Sequence, residues 1–283
     1  MNRILRLSKF DAELNADICD LRTNAELTIH LKLGFRQINP AGGAATGTFH
    51  DFGDPSDPHI RRIIKWTPGV WTAWKANLVS AAQRHWNGKF WLINHRGILP
   101  TKSGEAIYVP NVWCRFKLTG TDSTIGTHHV IIDVVRLDPS EPWFGSTSRL
   151  YDSKDTDSIE KGRTHRGRKI MQRGTVHEIG HLLGFEHVDA KAAACLATHN
   201  PNDHVCYGTK DSHMYDVMGC GEKLYERHAA PWLRALSSFL PLIPPSPLYT
   251  PPPRCVSHFD AAMVRHYPRT VKEFEAGTLV TSR

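Results

Sequence analysis

Long apolar runs are missing from this sequence, since none approaches the roughly 18 consecutive apolar residues that a membrane-spanning helix needs. A secretory leader is missing from the first 20 residues too, because charged side chains interrupt every apolar stretch there: Arg3, Arg6, Lys9, Asp11, Glu13, Asp17 and Asp20. We therefore expect a protein without a membrane span that is cytoplasmic or is exported by a route that needs no leader.

Cysteine pairs of the CxxC type are also missing. The six cysteines are scattered singly along the chain, whereas a zinc site built from thiolates needs them closely paired. Cys195 and Cys206 are near enough in sequence to close a loop through a disulfide, but an even number of cysteines permits disulfides without requiring them. The sequence therefore excludes a thiolate zinc knuckle and leaves the oxidation state of its cysteines open.

What the chain does contain is typical of a folded protein. Hydrophobic residues make up 40% and charged residues 22% of its 283 positions, which is enough apolar material for a packed core. The net charge of +7 and the pI near 9.1 are compatible with a nucleic-acid partner, but no nucleic-acid-binding motif accompanies them. We expect a protein or peptide partner instead, and the sequence leaves the oligomeric state unknown.

The spacing of apolar residues predicts an α+β fold. Alternating or continuous apolar patterns predict strands at 27–35, 90–94, 107–118 and 129–137. Helical spacing and a stop signal predict helices at 68–85 and 227–239, with a shorter one at 260–266. The remaining long stretches are predicted to be loop at 152–168 and irregular at 188–225.

One segment carries the chemistry, VHEIGHLLGFEH at 176–187. On a helix, His177 and His181 lie about 40° apart on one face and one turn apart along the axis, so both imidazoles can bind one metal ion. Glu178 borders the same face, where its carboxylate can reach a water molecule on that metal without binding the metal itself.

The end of this segment supplies a third ligand. Gly184 can adopt the left-handed conformation that ends a helix, and the chain can then turn to bring His187 back toward the metal. Three neutral histidines leave one position of a tetrahedral zinc ion open, which is the arrangement of a catalytic site. We therefore expect one zinc ion bound by His177, His181 and His187.

The segment resembles the zinc signature of the metzincin peptidases, HExxHxxGxxH followed by a turn that contains methionine. Met218, in the sequence YDVMG, lies 31 residues after His187 and matches that methionine. The resemblance covers roughly residues 107–240. It implies a zincin-like fold with a twisted mixed sheet, an active-site helix packed on the sheet and an irregular C-terminal subdomain. Val188 and Cys220 depart from the residues of known subfamilies, so the subfamily is unassigned.

The resemblance also implies a function, that of a zinc-dependent endopeptidase. Glu178 would take a proton from the attacking water that the zinc activates and pass it to the leaving amine. Tyr215 or Tyr207 is a candidate donor to the tetrahedral oxyanion. The substrate peptide would add as an extra strand along an edge formed by Ser146, Thr147, Ser148 and Arg149.

The same resemblance sets the predicted domain organisation. We predict a single metzincin-like catalytic domain at 1–240, although 1–100 matches no known family. A spacer follows at 241–253, where seven of thirteen residues are proline, and a C-terminal tail occupies 254–283. A run so rich in proline favours an extended, stiff chain.

Three other uses of the same residues stay open at this point. The protein could hydrolyse peptide cross-links of a cell wall, or it could act as an exported toxin or effector. It could also be a binding module in which zinc only stabilises the fold. Glu178 argues against the last of these, because a purely structural zinc site has no use for a carboxylate in that position.

Overall fold

A computed structural model describes residues 2–15, 25–51, 59–94, 101–103, 106–108, 111–144, 147–242 and 259–264. The predicted α+β class is confirmed, because a mixed sheet, with parallel and antiparallel strand pairs, occurs together with a few helices. All but the first two residues of the proline-rich spacer, Cys19, Cys255 and most of the C-terminal tail lie outside the described residues. No helix in the described ranges is both long and apolar enough to cross a membrane.

Strands and short helices alternate irregularly along the chain. The strands are β1 (Asn2–Arg6), β2 (Asp11–Asn15), β3 (Ala25–Ile38), β4 (Thr46–Asp51), β5 (His59–Ile64), β6 (Phe90–Asn94), β7 (Thr101–Ser103), β8 (Ala106–Tyr108), β9 (Val112–Asp122), β10 (Val130–Val135), β11 (Leu150–Asp152), β12 (Ile159–Arg163), β13 (Lys169–Gln172) and β14 (Phe259–Met263). The α-helices are α1 (Pro68–Trp86), α2 (Gly174–Leu183), α3 (Ala193–Thr198), α4 (Asp211–Met214) and α5 (Ala230–Phe239).

The chain forms two compact units, the first of which comprises 1–31, 86–117 and 225–283. Its strands follow the order β1-β2-β3-β9-β6-β14. The pairs β1–β2, β2–β3, β6–β9 and β14–β6 are antiparallel. Helix α5 packs its apolar face here, with Trp232 fully buried 5.6 Å from the ring of Phe90.

The second unit comprises 32–85 and 118–224 and contains every residue of the metal-binding signature. The central strand β10 is parallel to both of its neighbours, β3 and β11. Its side chains Ile132, Val134 and Val135 are buried, whereas Ile131 is exposed. Helix α1 confirms the helix predicted at 68–85, and Trp71, Trp74, Leu78 and Ala82 form its buried face.

Two predicted elements are wrong. The stretch 152–168 was expected to be a loop, but β12 lies within it and pairs with β13 as an antiparallel hairpin. A helix was expected at 260–266, but Phe259–Met263 is strand β14 and pairs with β6. Strand β14 pairs with β6, which is distant in sequence, whereas β12 pairs with the nearby β13, whose pairing the local pattern does not reveal. The predicted domain boundaries stay a prediction.

Candidate metal centre

Helix α2 holds the first two histidines and ends as the sequence predicts. Gly184 has φ +99°, in the left-handed region, and its N–H bonds to the carbonyl of His181 at 2.9 Å. The next N–H, of Phe185, reaches back to Gly180 at 3.1 Å. These bonds satisfy carbonyls that the helix end would otherwise leave without a donor. The chain therefore turns sharply at Gly184 and returns His187 toward the helix.

The three histidines meet at one point. The Nε2 atom of His181 lies 3.1 Å from the Nε2 atoms of both His177 and His187. Ligand atoms of all three residues lie within 4.8 Å of one another. In a tetrahedral zinc site, bond lengths of about 2.0–2.1 Å separate ligand nitrogens by about 3.3 Å. The three histidines can hold a metal ion.

Backbone carbonyls orient all three rings through their other nitrogen. The Nδ1–H groups of His177, His181 and His187 donate to the carbonyls of Val217, Phe185 and Pro201, respectively, at 2.8, 2.8 and 2.7 Å. A proton on Nδ1 leaves Nε2 with a free lone pair, so each ring presents a metal-binding nitrogen to the centre. Burial, followed by the neighbouring His181, lowers the pKa of His187 to about 4, which also favours the neutral, ligating form.

Glu178 is buried beside these ligands. Its Oε2 atom makes no hydrogen bond within the described residues. Burial raises the pKa of Glu178 well above its usual range, the nearby Asp155 raises it further, and the Lys161 ammonium lowers it. A buried carboxylate oxygen without a partner is costly in an ordinary core, which indicates that this oxygen is aimed at a ligand or a reactant.

Met218 lies in a buried turn. Its N–H donates to Oδ1 of Asp216 at 2.8 Å, and its carbonyl accepts from the N–H of Val188 at 3.0 Å. Because Val217 in the same turn supplies the acceptor for His177, this turn fixes one ligand directly.

Sequence reasoning missed Gln172, which connects this turn to the strand before α2. Its Nε2 group lies 2.9 Å from the carbonyl of Gly219 and 2.7 Å from that of Gly221. It also lies 3.3 Å from the carbonyl of Val217 and 3.4 Å from Nδ1 of His177. The sequence offers no signal for Gln172, because the apolar Met171 is exposed and the polar Gln172 is buried.

A second group without a sequence signal surrounds Asp155, which is fully buried. Its carboxylate accepts the indole N–H of Trp143 at 2.7 Å and the backbone N–H of Asp152 at 2.7 Å. The Lys161 ammonium lies 3.4 Å from the centre of the Trp143 ring, a cation–π contact. These residues come from separate segments of the chain, so no local pattern links them.

A cleft of about 550 Å³ opens beside His181, His187 and Glu178. The wall residues from outside the signature include Thr147, Ser148, Ala190, Lys191, Leu196, Pro201, Asn202 and Tyr207. Its volume is in the range of ligand-binding clefts in general.

Only part of the predicted substrate edge lies at this cleft. Thr147 and Ser148 line it, Arg149 is not among the lining residues, and Ser146 lies outside the described residues. The predicted strand is wrong at Ser148 and Arg149, which form a tight turn closed by an isolated bridge between Thr147 and Leu150. The regular strand β11 begins only at Leu150.

Of the two tyrosines considered, the cleft contains Tyr207. Its ring centre lies 3.9 Å from that of His187 and 5.7 Å from that of His177. Burial raises the pKa of Tyr207, and the charges of Glu178 and Cys220 raise it further, so the phenol keeps its proton. Tyr215 lies at the end of α4 and is not among the residues that line the cleft.

Comparison with other proteins gives no further guide to this centre. No protein-family model matches the chain, and no curated protein or solved structure matches it at a significant level.

Proposed function

We propose that this protein is a zinc-dependent endopeptidase with a metzincin-like catalytic centre. The observation that carries the proposal is the convergence of three histidine Nε2 atoms beside a buried, unpaired carboxylate oxygen of Glu178. Three ligands and one adjacent carboxylate are the composition of a catalytic rather than a structural zinc site. The left-handed Gly184 and the buried Met218 turn agree with the metzincin resemblance.

The donor set fits zinc. Three neutral imidazoles at the observed separations suit a tetrahedral ion with one open position. When bound, zinc supplies a Lewis acid that polarises a peptide carbonyl and makes water more acidic.

The protein's own residues would then have separate roles in catalysis and in substrate binding. Glu178 accepts a proton from the attacking water and delivers it to the leaving amine. The Tyr207 phenol donates a hydrogen bond to the oxygen of the tetrahedral intermediate, a role for which its proton and its position in the cleft suit it. An extended peptide would pass the wall formed by Thr147 and Ser148.

The test combines metal content with cleavage of casein in the full-length protein and two variants. Glu178→Gln keeps the shape of the side chain but removes the base, so we expect one zinc per chain and a loss of cleavage of about 10²- to 10⁴-fold. Glu186→Gln is the matched control, because Glu186 lines the same cleft but is exposed and paired with Lys191.

The results of this test distinguish a catalytic zinc site from a stabilising one. Zinc binding by all three proteins, with cleavage lost only in Glu178→Gln, supports the proposal. Equal cleavage by Glu178→Gln and the parent protein would exclude Glu178 as the base. Zinc binding without cleavage of casein or of a varied peptide library by the parent protein would reduce the centre to a stabilising metal site.

A further inference from the structure

We propose that the disulfide between Cys195 and Cys206 positions His187 and Tyr207, so that its formation completes the metal centre. The bond is present in the structure, with the two Cα atoms 4.9 Å apart. This inference rests on the proposed function, because it concerns the regulation of the same centre. It makes the centre sensitive to the redox state of its surroundings.

The loop that the disulfide closes orients the third ligand. Pro201 lies inside it, and its carbonyl accepts the Nδ1–H of His187 at 2.7 Å. Asn200 beside it is held by Thr198, whose hydroxyl donates to the Asn200 carbonyl at 3.0 Å. Any movement of this loop would therefore move the acceptor that selects the tautomer and orientation of His187.

The same loop forms one wall of the cleft. Leu196, Pro201 and Asn202 line the cleft from within the closed segment, and Tyr207 follows Cys206 directly. The Cys206 carbonyl also accepts the N–H of Asp189, two residues after His187, at 3.0 Å. The disulfide therefore holds both the oriented ligand and the proposed oxyanion donor.

Few buried side chains anchor this loop. Along 193–207, which the structure describes without a gap, the two cysteines are the only buried residues. Helix α3 has six residues, too few for a helix to be stable by itself. Closing a loop of this length also restricts the unfolded chain and so favours the folded loop. The disulfide is therefore the main buried contact of this loop.

The covalent step is an ordinary thiol–disulfide exchange. A small disulfide such as oxidised glutathione accepts two electrons from the Cys195 and Cys206 thiolates and leaves as two thiols. The two cysteine protons go to the solvent and are balanced by those taken up by the leaving thiols. Once formed, the bond is buried at both sulfur-bearing residues, which shields it from attack by small thiols. Reduction of the bond in the folded protein therefore requires the loop to open locally.

The experiment compares the dithiol and disulfide forms of the full-length chain. The dithiol form is purified with a phosphine reductant, which is then removed, and half is oxidised with oxidised glutathione. Binding of Zn²⁺ is measured by competition with a chromophoric chelator, and the absorption spectrum of bound Co²⁺ reports the coordination geometry. The matched control is the double variant Cys195→Ser/Cys206→Ser, which cannot form the bond.

We expect oxidation to tighten Zn²⁺ binding by about ten- to a hundredfold, as loss of an orienting partner typically weakens a metal site by this factor. The Co²⁺ spectrum of the parent chain should change on oxidation. The double variant should have the Zn²⁺ affinity and the Co²⁺ spectrum of the dithiol form, and oxidised glutathione should change neither. Circular dichroism should be the same in both forms of the parent chain.

Equal affinities and equal spectra in the two forms would overturn the inference and leave the proposed function untouched. A dithiol form that has lost its overall fold would also overturn it, because the bond would then stabilise the whole unit rather than position two residues. If the disulfide form binds no metal, the proposed function itself fails.

Discussion

The interiors of the two units differ in chemistry. Among the described residues, nine of the thirteen buried polar or charged side chains belong to one stretch of the second unit: Asp152, Asp155, Thr164, Gln172, Thr175, His177, Glu178, His187 and Asp216. The first unit contains the other four, Asp11, Asn94, Asn111 and His228, within an interior of aromatic and aliphatic side chains.

This difference separates stability from function. A buried polar group costs free energy unless it is hydrogen-bonded, so a fold gains nothing by concentrating such groups in one place. Buried ionisable groups with displaced pKa values are instead typical of reactive sites. We therefore expect substitutions in the segment 152–216 to change metal binding or catalysis, and substitutions in the first unit to change stability alone.

The largest expected effect concerns the two tyrosines. Tyr207→Phe removes the phenol beside the histidines and should lower kcat/KM for peptide cleavage by about 10²-fold or more, as loss of an oxyanion donor does elsewhere. Tyr215→Phe should change it less than about twofold, since Tyr215 does not line the cleft. Steady-state kinetics of both variants measures these changes in kcat/KM. A larger loss in Tyr215→Phe than in Tyr207→Phe would assign the oxyanion donor to Tyr215 instead.

Two buried amides test the comparison directly. Gln172→Ala removes the donor to Gly219 and Gly221 beneath His177 and should weaken Zn²⁺ binding by about ten- to a hundredfold. Asn111→Ala removes an acceptor for the backbone N–H of Asn94 in the first unit and should lower the free energy of unfolding by about 1–3 kcal/mol with unchanged zinc affinity. Chelator competition and urea unfolding on both variants measure the two effects. Weaker zinc binding by Asn111→Ala would contradict the expected difference between the two units.

A pair of glycines tests the tight packing around Asp155. A Cβ atom at Gly174 would lie 2.2 Å from Oδ1 of Asp155, so Gly174→Ala should cost about 1–3 kcal/mol of stability. A Cβ atom at Gly69, in α1, would meet nothing within 4 Å, so Gly69→Ala should stabilise by up to about 1 kcal/mol. Thermal unfolding of the two variants measures both changes in stability. Equal unfolding midpoints for Gly174→Ala and Gly69→Ala would mean that Asp155 can move to accommodate the added methyl group.

A dependence of stability on pH is expected as well. Burial, and then Asp155, raises the pKa of Asp152 to about 8. In the unfolded chain this carboxyl has its ordinary pKa near 4, so the folded state binds the extra proton between about pH 4 and 8. The stability that Asp152 contributes is therefore full below about pH 4 and declines as the pH rises to about 8.

Urea unfolding from pH 5 to 8 measures this slope. Asp152→Asn should flatten the decline relative to the parent protein, because an amide does not ionise. Asp138→Asn is the control of opposite sign: bonds from Ser140 lower the pKa of Asp138, so its contribution is present above about pH 4 and disappears only below that. A parent protein that gains stability from pH 5 to 8, with Asp152→Asn unchanged in slope, would contradict the assignment.

The elements that the sequence predicted are those with a strong local period. Helix α1 repeats buried residues at helical spacing, and β6 is buried along its whole length. Strands β12 and β14 were missed because each depends on a partner strand that local patterns do not specify. Tyr207 could be considered from the sequence but not preferred over Tyr215, since the choice depends on which phenol the folded chain brings to the cleft.

The sequence by itself determined which three histidines could hold a metal ion. The spacing of His177 and His181 on one helix face, together with Gly184 at the helix end, requires only local backbone geometry. The tertiary structure alone decided which groups orient those ligands: the carbonyls of Val217 and Pro201, the amide of Gln172 and the disulfide-closed loop. Most of these groups lie outside the signature, up to about forty residues from the ligands they serve, and only folding places them at hydrogen-bond distance.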